Sequence, residues 1–536
     1  MKKSQISLYF IVIGAFLLFI SGNFLSEGLS RVGLDNALVS QRMAEGFDSF
    51  WLPSIDTPGT PDRSNYLPLG YWLGSWWYKA FGTNTFMAEK IYSLLTYLIV
   101  ALLMIWVWKL TGRTRRSGWL PLVCWIMIPI VSWSATNNLL ETTMTIFIML
   151  SVAFLFKAQK AQFLGKTLPS SQKRQRKNRF ASYLWVIVAA LMMELAFMIK
   201  GFAGLFPIFF PFFYWLLVRR ERIIYPIINT VLILVVWMVT LFIVVILSPT
   251  VYDVLYNYIH NQMIGGVLYV QTVTTRFWIL HALIVQGAIP LVITVIICFI
   301  RIKHKPFYRF MFYWRHKDQL TVDQVMRART GWFFLCFGLS GLLPIMLGLK
   351  QQEFYLVPTL PFFALAMACL MYDILEDWVL EMDKVAHYVL MGLAVLLFGS
   401  GLILNISNIH KINSNKELLQ DMKIILPYLE SGETVLATHE IVENPEVAEY
   451  FYRYKDILLD TGDEHEHLLA MYSRKQIRHR GTLYVKVDIP SQYYNLYIID
   501  SNYLKRDTIV DSVMMADSLA LVSDSLALEL SKETDN

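Results

Sequence analysis

The chain contains about eleven apolar blocks, most of them about 17–25 residues long, which is the length at which a helix crosses a lipid bilayer. They lie near residues 6–24, 88–110, 119–134, 139–156, 181–199, 201–218, 226–248, 277–300, 331–348, 354–372 and 386–408. The 536 residues are 56% hydrophobic and 16% charged, whereas soluble domains are about 45–50% apolar and about 25% charged. This excess excludes a disordered protein and argues against a soluble enzyme. The sequence therefore predicts a polytopic α-helical membrane protein with about eleven spans.

Positive charges predict the orientation of these spans. No small-x-small cleavage box follows the first apolar block, so we interpret it as an uncleaved span that follows Lys2 and Lys3. Because cytoplasmic connections are enriched in Lys and Arg, the basic runs at 113–116, 157–179, 219–222 and 301–315 are assigned to the inner side. A lipid or nucleic-acid patch is the alternative for these runs, and we predict no nucleic-acid partner. The connection at 373–384 is acidic and departs from the pattern.

The composition changes after residue 409, where the odd number of spans places the chain outside. In a bacterial inner membrane this side is the periplasm. We predict a transmembrane domain over 1–409 with a long outer loop at 25–87, a periplasmic α/β domain over 410–505, and a flexible tail over 506–536. Within the α/β domain, the pattern predicts helices at 415–430, 447–455 and 468–479 and strands at 433–438, 457–460, 483–487 and 494–499.

The first outer loop contains two candidate surface helices. The apolar spacing of Leu34, Leu38, Val39 and Met43 predicts one of them, with Asp35 at its start. Asp35 is either a helix cap or a functional carboxylate. The second, from residue 66 to 82, is rich in Trp and Tyr, and its rings are either interfacial anchors or part of a binding pocket.

Three further outer segments contain polar residues near span ends. Asn137 and Asn138 precede Glu141 by four and three residues, so the three side chains are predicted to share one helical face. An ionisable residue at a membrane helix end is a functional candidate. Lys200 and Lys350 lie in short outer turns, where lysine is disfavoured. A phosphate partner explains them, and snorkelling to headgroups is the alternative.

Carboxylates and cations on one side of the membrane suit transfer of a group from a lipid phosphate. The cations would stabilise the departing phosphate, and a carboxylate would orient or deprotonate an acceptor hydroxyl.

The order of several motifs resembles the GT-C glycosyltransferases over about residues 5–375. The motifs are Asp35, then Leu69-Gly70-Tyr71-Trp72, Lys79-Ala80-Phe81-Gly82, Lys200-Gly201, and Lys350 followed by Tyr355-Leu356-Val357-Pro358. Within that group the chain is similar to the protein O-mannosyltransferases and the lipid A aminoarabinose transferase.

The resemblance implies inverting transfer of a sugar from a polyprenyl phosphate, undecaprenyl phosphate in bacteria, to lipid A, a glycolipid or a protein. It implies that Asp35 is the base or orients the acceptor, and that Lys200, Lys350 and Tyr355 bind the donor phosphate. The lysine that precedes the Leu-Gly-Tyr-Trp stretch in relatives is absent here, and Arg63 is the proposed substitute.

The remaining candidates also follow from the resemblance. Glu141 is a possible second catalytic carboxylate, because Asn138 stands where the family has Asp. His260 matches a family histidine linked to a metal, which leaves a divalent metal possible as a cofactor. The predicted donor or acceptor pocket consists of Asn36, Tyr66, Tyr71, Asn137, Asn138 and His260.

Two other function classes compete with a transferase. A transporter or flippase of lipid-linked sugars should show inverted repeats and polar residues at the membrane midplane. We find no internal repeat, and the polar candidates cluster at one face. A scaffold of the cell envelope does not explain the outward lysines.

Overall fold

The computed structural model describes residues 3–54, 67–82, 86–167, 172–218, 222–300, 322–380, 382–462, 464–471, 473–480 and 482–500. The chain divides into two units, a helical unit that ends at Ser414 and a smaller unit that begins at Asn415.

The helical unit begins with eight helices, which include the candidates Asp35, Glu141 and Lys200. They are α1 (Lys3–Ile20), α2 (Arg31–Glu45), α3 (Leu69–Phe81), α4 (Phe86–Leu110), α5 (Trp119–Ile126), α6 (Pro129–Ser134), α7 (Leu140–Thr167) and α8 (Gln172–Lys200). Further α-helices cover Phe210–Phe213, Ile224–Leu247, Pro249–Asn257, Gly265–Leu268, Trp278–Gln286, Ala288–Ile300, Val322–Ser340, Leu360–Leu380 and Lys384–Ser407. Short 3-10 segments cover Arg115–Ser117, Gly201–Phe209, Ile345–Leu347 and Glu353–Leu356, and π-helical turns cover Tyr214–Val218 and Tyr258–Ile264.

Within the described residues, five helical stretches are long and apolar enough to cross a membrane. They are Met87–Leu110, Leu140–Gln162, Asn178–Val218, Ile224–Leu247 and Lys384–Ser407. A sixth is possible if the helices Trp278–Gln286 and Ala288–Phe299, which meet at a 59° bend, form one span. Shorter apolar helices occur at Ile6–Ile20 and Leu360–Tyr372. Several predicted spans are thus short or bent helices, and the total of eleven stays a prediction.

Local sequence explains two of these breaks. Pro129 lacks an amide hydrogen and occupies the first turn of α6, so the apolar block 119–134 forms two short helices. Gly201 has a φ of +70°, a conformation that side chains rarely adopt, and it ends α8. The stretch Asn178–Val218 has 41 residues, about twice the length that one span needs, and the two spans predicted there stay a prediction.

The core of the helical unit is built from aromatic rings around the α7–α8 pair, which is in contact along much of its length. The Phe156 ring meets Phe210 edge-to-face at 4.9 Å, and Phe210 meets Phe333 at 5.0 Å. All three side chains are buried. Such edge-to-face pairs add about 0.5–1.5 kcal/mol each beyond the burial of apolar area. These rings pack the middle of α7 against Phe210 and the helix Val322–Ser340.

A buried lysine fixes the chain between α1 and α2. The ammonium of Lys90, on α4, donates to the carbonyl oxygens of Asn23 and Ser26. Lys90 is only 1% exposed, so these carbonyls replace the water that the charge would otherwise keep. The contact ties the entry of α2 to a membrane helix.

The second unit contains a six-stranded mixed sheet with the order β2-β1-β3-β6-β5-β4. Its strands are β1 (Thr434–Ala437), β2 (Leu458–Asp460), β3 (His467–Ala470), β4 (Gln476–His479), β5 (Thr482–Lys486) and β6 (Asn495–Ile499). Strand β1 pairs in parallel with β2 and β3, and the other pairs are antiparallel. The helices Lys416–Ile425, His439–Val442 and Pro445–Lys455 and the 3-10 segment Leu426–Tyr428 complete the unit.

One predicted element of this unit is wrong. The segment 468–479 was predicted to be a helix, but it forms β3 and β4 with a break between them. All four residues of β3 are buried, because β3 lies between β1 and β6. A fully buried short strand has no alternation of polar and apolar residues, so periodicity alone does not distinguish it from a helix. The predicted tail, 506–536, lies outside the described residues.

Candidate active site at the ends of α7 and α8

Glu141 and Lys200 form a buried ion pair. Glu141 is the second residue of α7 and Lys200 is the last of α8, so the two packed helices bring them together. The Lys200 ammonium donates to Oε1 of Glu141. The Glu141 side chain is 1% exposed and that of Lys200 is 21% exposed. Oε2 of Glu141 is buried and has no hydrogen-bond partner among the described residues.

Aromatic rings surround the Lys200 ammonium on another side. Its Nζ lies 5.4 Å from the ring centre of Phe354 and 5.6 Å from that of Tyr355. Cation–π contacts of this kind contribute about 0.5–2 kcal/mol, with more for desolvated ions. The ring of Tyr355 therefore lies beside Lys200, and the resemblance implies that both residues bind the donor phosphate.

Lys350 is the second cation of the site. Its Nζ donates to Oε1 of Gln262 at 3.2 Å. Burial lowers the pKa of Lys350 from its usual value of 10.5, and the positive charge of Lys200 lowers this pKa further. Two cations that repel each other across a partly buried site favour an anion between them. The two lysines that the sequence singled out thus act on the same region.

The turn after Lys200 depends on Gly201 and Tyr258. A Cβ atom on Gly201 would lie 1.8 Å from the Tyr258 hydroxyl oxygen. That oxygen accepts a hydrogen bond from the amide of Phe202 at 3.3 Å. Burial raises the pKa of Tyr258 to about 12, so the hydroxyl keeps its proton at neutral pH. Sequence reasoning missed Tyr258, because the glycine directly after the helix-terminal lysine signals the turn but not its distant partner.

The helix that carries Asp35 begins earlier than predicted. Residue Ser30 caps α2, and its hydroxyl accepts from the Gly33 amide at 3.4 Å. Asp35 is therefore the fifth residue of the helix and not its cap, and the capping interpretation is wrong. Its side chain is half-buried. The helix itself and its buried apolar positions, Leu34, Leu38, Val39 and Met43, are as the spacing predicts.

The first turn of α2 packs against the segment before Glu141. The side-chain amide of Asn36 donates to the backbone carbonyl of Asn138 at 3.0 Å. The backbone amide of Ser30 donates to Oδ1 of Asn137 at 2.9 Å. A Cβ atom on Gly33 would lie 2.1 Å from the Asn137 carbonyl oxygen, so the two segments touch. Asp35, next to Asn36, is thus carried on a helix that is fixed to the start of α7.

Asn137 and Asn138 do not share a helical face with Glu141, so that prediction is wrong. Helix α7 begins at Leu140, and Asn138 has a φ of +49° in the preceding turn. Asparagine tolerates this left-handed conformation because its short side chain bonds locally. Both residues are buried and take part in the contacts with α2.

Helix α3 lies against the ends of α7 and α8. A Cβ atom on Gly70 would lie 2.8 Å from the Leu140 side chain and 3.1 Å from that of Ile199. These two residues directly precede Glu141 and Lys200. Tyr71 follows Gly70 and is 2% exposed. The candidates Arg63 and Tyr66 lie outside the described residues.

His260 lies on the π-helical turn Tyr258–Ile264. The ring is exposed, its Nδ1 is 3.1 Å from Oδ1 of Asn261, and it stacks on Tyr256 at 5.9 Å. Across the part of the chain that the structure describes, no group of three or more His, Cys, Asp and Glu side chains is placed to hold a metal ion. In the described residues His260 therefore belongs to no ligand set of this kind, and its surroundings there do not fit the divalent metal that the resemblance left possible.

Gln351 fixes the loop that carries Lys350, and sequence reasoning missed it. Its side chain donates to the carbonyls of Arg276 and Gly348, at 2.9 Å each, and accepts from the Ile279 amide at 2.9 Å. It is 1% exposed. A glutamine next to a lysine gives no signal in one sequence, because its partners lie about 70 residues away in the chain.

Comparison with known proteins adds evidence of two kinds. Residues 64–264 match the family model of dolichyl-phosphate-mannose-protein mannosyltransferases, a range that contains Glu141 and Lys200. The structure is similar to the crystal structure of ArnT from Cupriavidus metallidurans bound to undecaprenyl phosphate, with a TM-score of 0.56 and 13% identity over 92% of this chain and 98% of that one. The apo crystal structure of the same protein gives a TM-score of 0.54 and 12% identity over the same shares. A search of curated protein sequences finds no match.

These findings define the class to which the fold belongs. The chain has the ArnT-like fold, a mostly helical membrane architecture followed by a small sheet. Its similarity to the mannosyltransferase family and to ArnT confirms the resemblance to GT-C glycosyltransferases that the motifs predicted.

Proposed function

We propose that the protein is an inverting glycosyltransferase that moves a sugar from a polyprenyl-phosphate donor to an acceptor at the outer face of a bacterial inner membrane. The observation that carries this proposal is the Lys200–Glu141 pair at the ends of α7 and α8, together with the charge of Lys200 lowering the pKa of Lys350. Support comes from the ArnT-like fold, because the ArnT crystal structure holds undecaprenyl phosphate.

In the proposed reaction, an acceptor oxygen attacks the anomeric carbon of the donor sugar. The new carbon–oxygen bond forms as the bond between the anomeric carbon and the phosphate oxygen breaks, and the electron pair leaves with the phosphate. Lys200 and Lys350 stabilise the charge that develops on this phosphate. Since a phosphate is a good leaving group, no general acid is required.

Asp35 accepts the proton of the acceptor hydroxyl in this proposal. For a phosphate acceptor, as on lipid A, no base is needed and Asp35 only positions the acceptor. Glu141 holds the Lys200 ammonium in place through the ion pair. No step uses a metal, because the described surroundings of His260 do not fit one.

The other candidates keep supporting roles in the proposal. Tyr355 and Arg63 assist at the donor phosphate, and the remaining candidates line the donor or acceptor pocket. These lining residues are Asn36, Tyr66, Tyr71, Asn137, Asn138 and His260. The acceptor is lipid A, another glycolipid or a protein, and the unit that begins at Asn415 faces the periplasm.

The test is a transfer assay with the purified protein and the Asp35→Asn variant. We expect wild-type protein to release free polyprenyl phosphate from a polyprenyl-phosphate hexose or pentose when a hydroxyl acceptor is present. Asp35→Asn should lower that rate by about 10²–10⁴-fold, the usual contribution of a general base, with donor binding kept. The matched control is Asp253→Asn, at an exposed carboxylate on the helix Pro249–Asn257. A fully active Asp35→Asn variant would contradict the assignment, and sugar-lipid flipping in proteoliposomes without polyprenyl-phosphate release would favour a transporter.

A further inference from the structure

A pocket of about 560 Å³, widely open to the surface and called the cavity here, shares the Phe354 ring with the surroundings of the ion pair and has no role in the proposed reaction. Two segments line it: Thr272, Val273, Thr274 and Trp278 on one side, and Gln351, Gln352, Glu353 and Phe354 on the other. The volume falls in the range of about 300–1,000 Å³ that is typical of small-molecule sites.

The two walls of this cavity are bonded to each other. The Thr272 hydroxyl donates to the Gln351 carbonyl and accepts from the Gln351 amide, both at 2.9 Å. The Thr272 amide donates to the Leu349 carbonyl at 3.1 Å. Together with the buried side chain of Gln351, these hydrogen bonds fix the distance between the two walls without a bound ligand. The cavity is therefore formed before any ligand binds.

Glu353 supplies a fixed carboxylate at the wall. Its Oε2 accepts from Nε2 of Gln286 at 2.7 Å. Oε1 of the same Gln286 accepts from the Ile130 amide at 2.9 Å, so both ends of the glutamine amide are engaged. A neutral amide orients the carboxylate without cancelling its charge, and Oε1 of Glu353 has no hydrogen-bond partner among the described residues. This oxygen is an acceptor for a hydroxyl group.

Phe354 connects the cavity to the ion pair. Its ring lines the cavity, lies 5.4 Å from the Lys200 ammonium and stacks on Trp133 at 6.4 Å. The contents of the cavity are thus one aromatic ring away from the cation that is proposed to hold the leaving phosphate.

We infer that this cavity binds one sugar residue of a substrate, with the Glu353 carboxylate accepting a sugar hydroxyl. The lining combines the groups that a sugar needs: an aromatic surface at Trp278 for the apolar face of the ring, and hydroxyl, amide and carboxylate groups for its hydroxyls. The sugar belongs to the lipid-linked donor or to the acceptor. The role of this sugar as a substrate rests on the proposed function, whereas its binding to the cavity does not.

The first experiment compares Glu353→Gln with the Asp253→Asn control in transfer kinetics. The variant keeps the shape of the side chain and loses the charge, so a hydrogen bond to a carboxylate becomes one to a neutral oxygen. We expect KM for one substrate to rise about 10-fold, with kcat within about twofold of wild type. A change in donor KM assigns the sugar to the donor, and a change in acceptor KM assigns it to the acceptor. Unchanged KM values for both substrates would overturn the inference.

The second experiment separates this inference from the proposed function. Saturation-transfer difference NMR measures binding of methyl glycosides of hexoses and pentoses to the full-length protein in detergent. Signals should be present with wild type and with Lys200→Met, and lost with Glu353→Gln and Trp278→Leu. Absence of signal from wild type with every glycoside, or a signal from both cavity variants as strong as that of wild type, would overturn the sugar site. An active Lys200→Met enzyme would contradict the proposed function. The NMR signals would still show whether the cavity binds a sugar.

Discussion

Replacing Lys200 by methionine removes the cation that is proposed to stabilise the leaving phosphate. Methionine keeps an unbranched apolar side chain of similar length, so packing over the Phe354 and Tyr355 rings is largely retained. The change therefore isolates the charge and its hydrogen bond to Glu141 from the shape of the site.

The expected loss in rate follows from the charge-assisted hydrogen bond to the phosphate. Hydrogen bonds to charged groups contribute about 1.5–3 kcal/mol, which corresponds to about a 10- to 150-fold decrease in kcat. The stability of the fold should fall as well, because Glu141 is 1% exposed and would be left without its partner. Removal of one member of a buried pair costs about 3–5 kcal/mol, and protonation of Glu141 limits that cost.

The double variant Glu141→Gln/Lys200→Met separates the two effects. It removes both charges, so we expect its thermal unfolding temperature to lie above that of Lys200→Met while its rate stays equally low. Initial rates of polyprenyl-phosphate release, together with unfolding followed in detergent, provide the measurements. If Lys200→Met retained more than half of the wild-type kcat/KM, the assignment of Lys200 to the leaving phosphate would be refuted.

Three other predictions follow from the geometry. Gly201→Ala should destabilise the fold by about 1–3 kcal/mol, because of the positive φ and the Tyr258 hydroxyl. Adding Tyr258→Ala should recover part of this loss in a denaturation series, and full stability of the single Gly201→Ala variant would contradict the prediction. Binding of the donor phosphate should weaken as pH rises through the lowered pKa of Lys350. In Lys200→Met this loss of affinity should move to higher pH, because a repelling charge is gone. A pH profile of Kd that is the same in both proteins would contradict a site shared by the two lysines. Asp421→Ala removes the acceptor of three backbone amides, from Gln492 to Tyr494, so hydrogen exchange in that segment should quicken by at least about tenfold, and unchanged exchange would show that the contact is not stabilising.

Much of the helical architecture was accessible from the sequence, since apolar length is a direct consequence of the bilayer. Helix breaks were less accessible. The bend of 59° beside Gly287 lies inside one apolar block of the sequence. Gln286 and Gly287 are the only local signs of it, and they were not enough to predict a break there. The buried strand β3 was taken for helix because Leu468, Leu469 and Ala470 are apolar on both of its faces.

For the candidate site, topology identified charged residues more reliably than local spacing did. Lys200 and Glu141 were selected from opposite ends of different spans, and the structure places them in contact. The predicted helical face of Asn137, Asn138 and Glu141 failed because a left-handed turn at Asn138 precedes the helix. The roles of Tyr258 and Gln351 were missed because each depends on a partner distant in the chain.

The most direct test of the account is to incubate purified protein with a polyprenyl-phosphate sugar and a hydroxyl-bearing acceptor, and to analyse the products by mass spectrometry. We expect free polyprenyl phosphate and glycosylated acceptor in equal amounts, with inverted configuration at the anomeric carbon, and little of either with Lys200→Met. Intact donor after prolonged incubation with every acceptor tried, or a product with retained configuration, would contradict it.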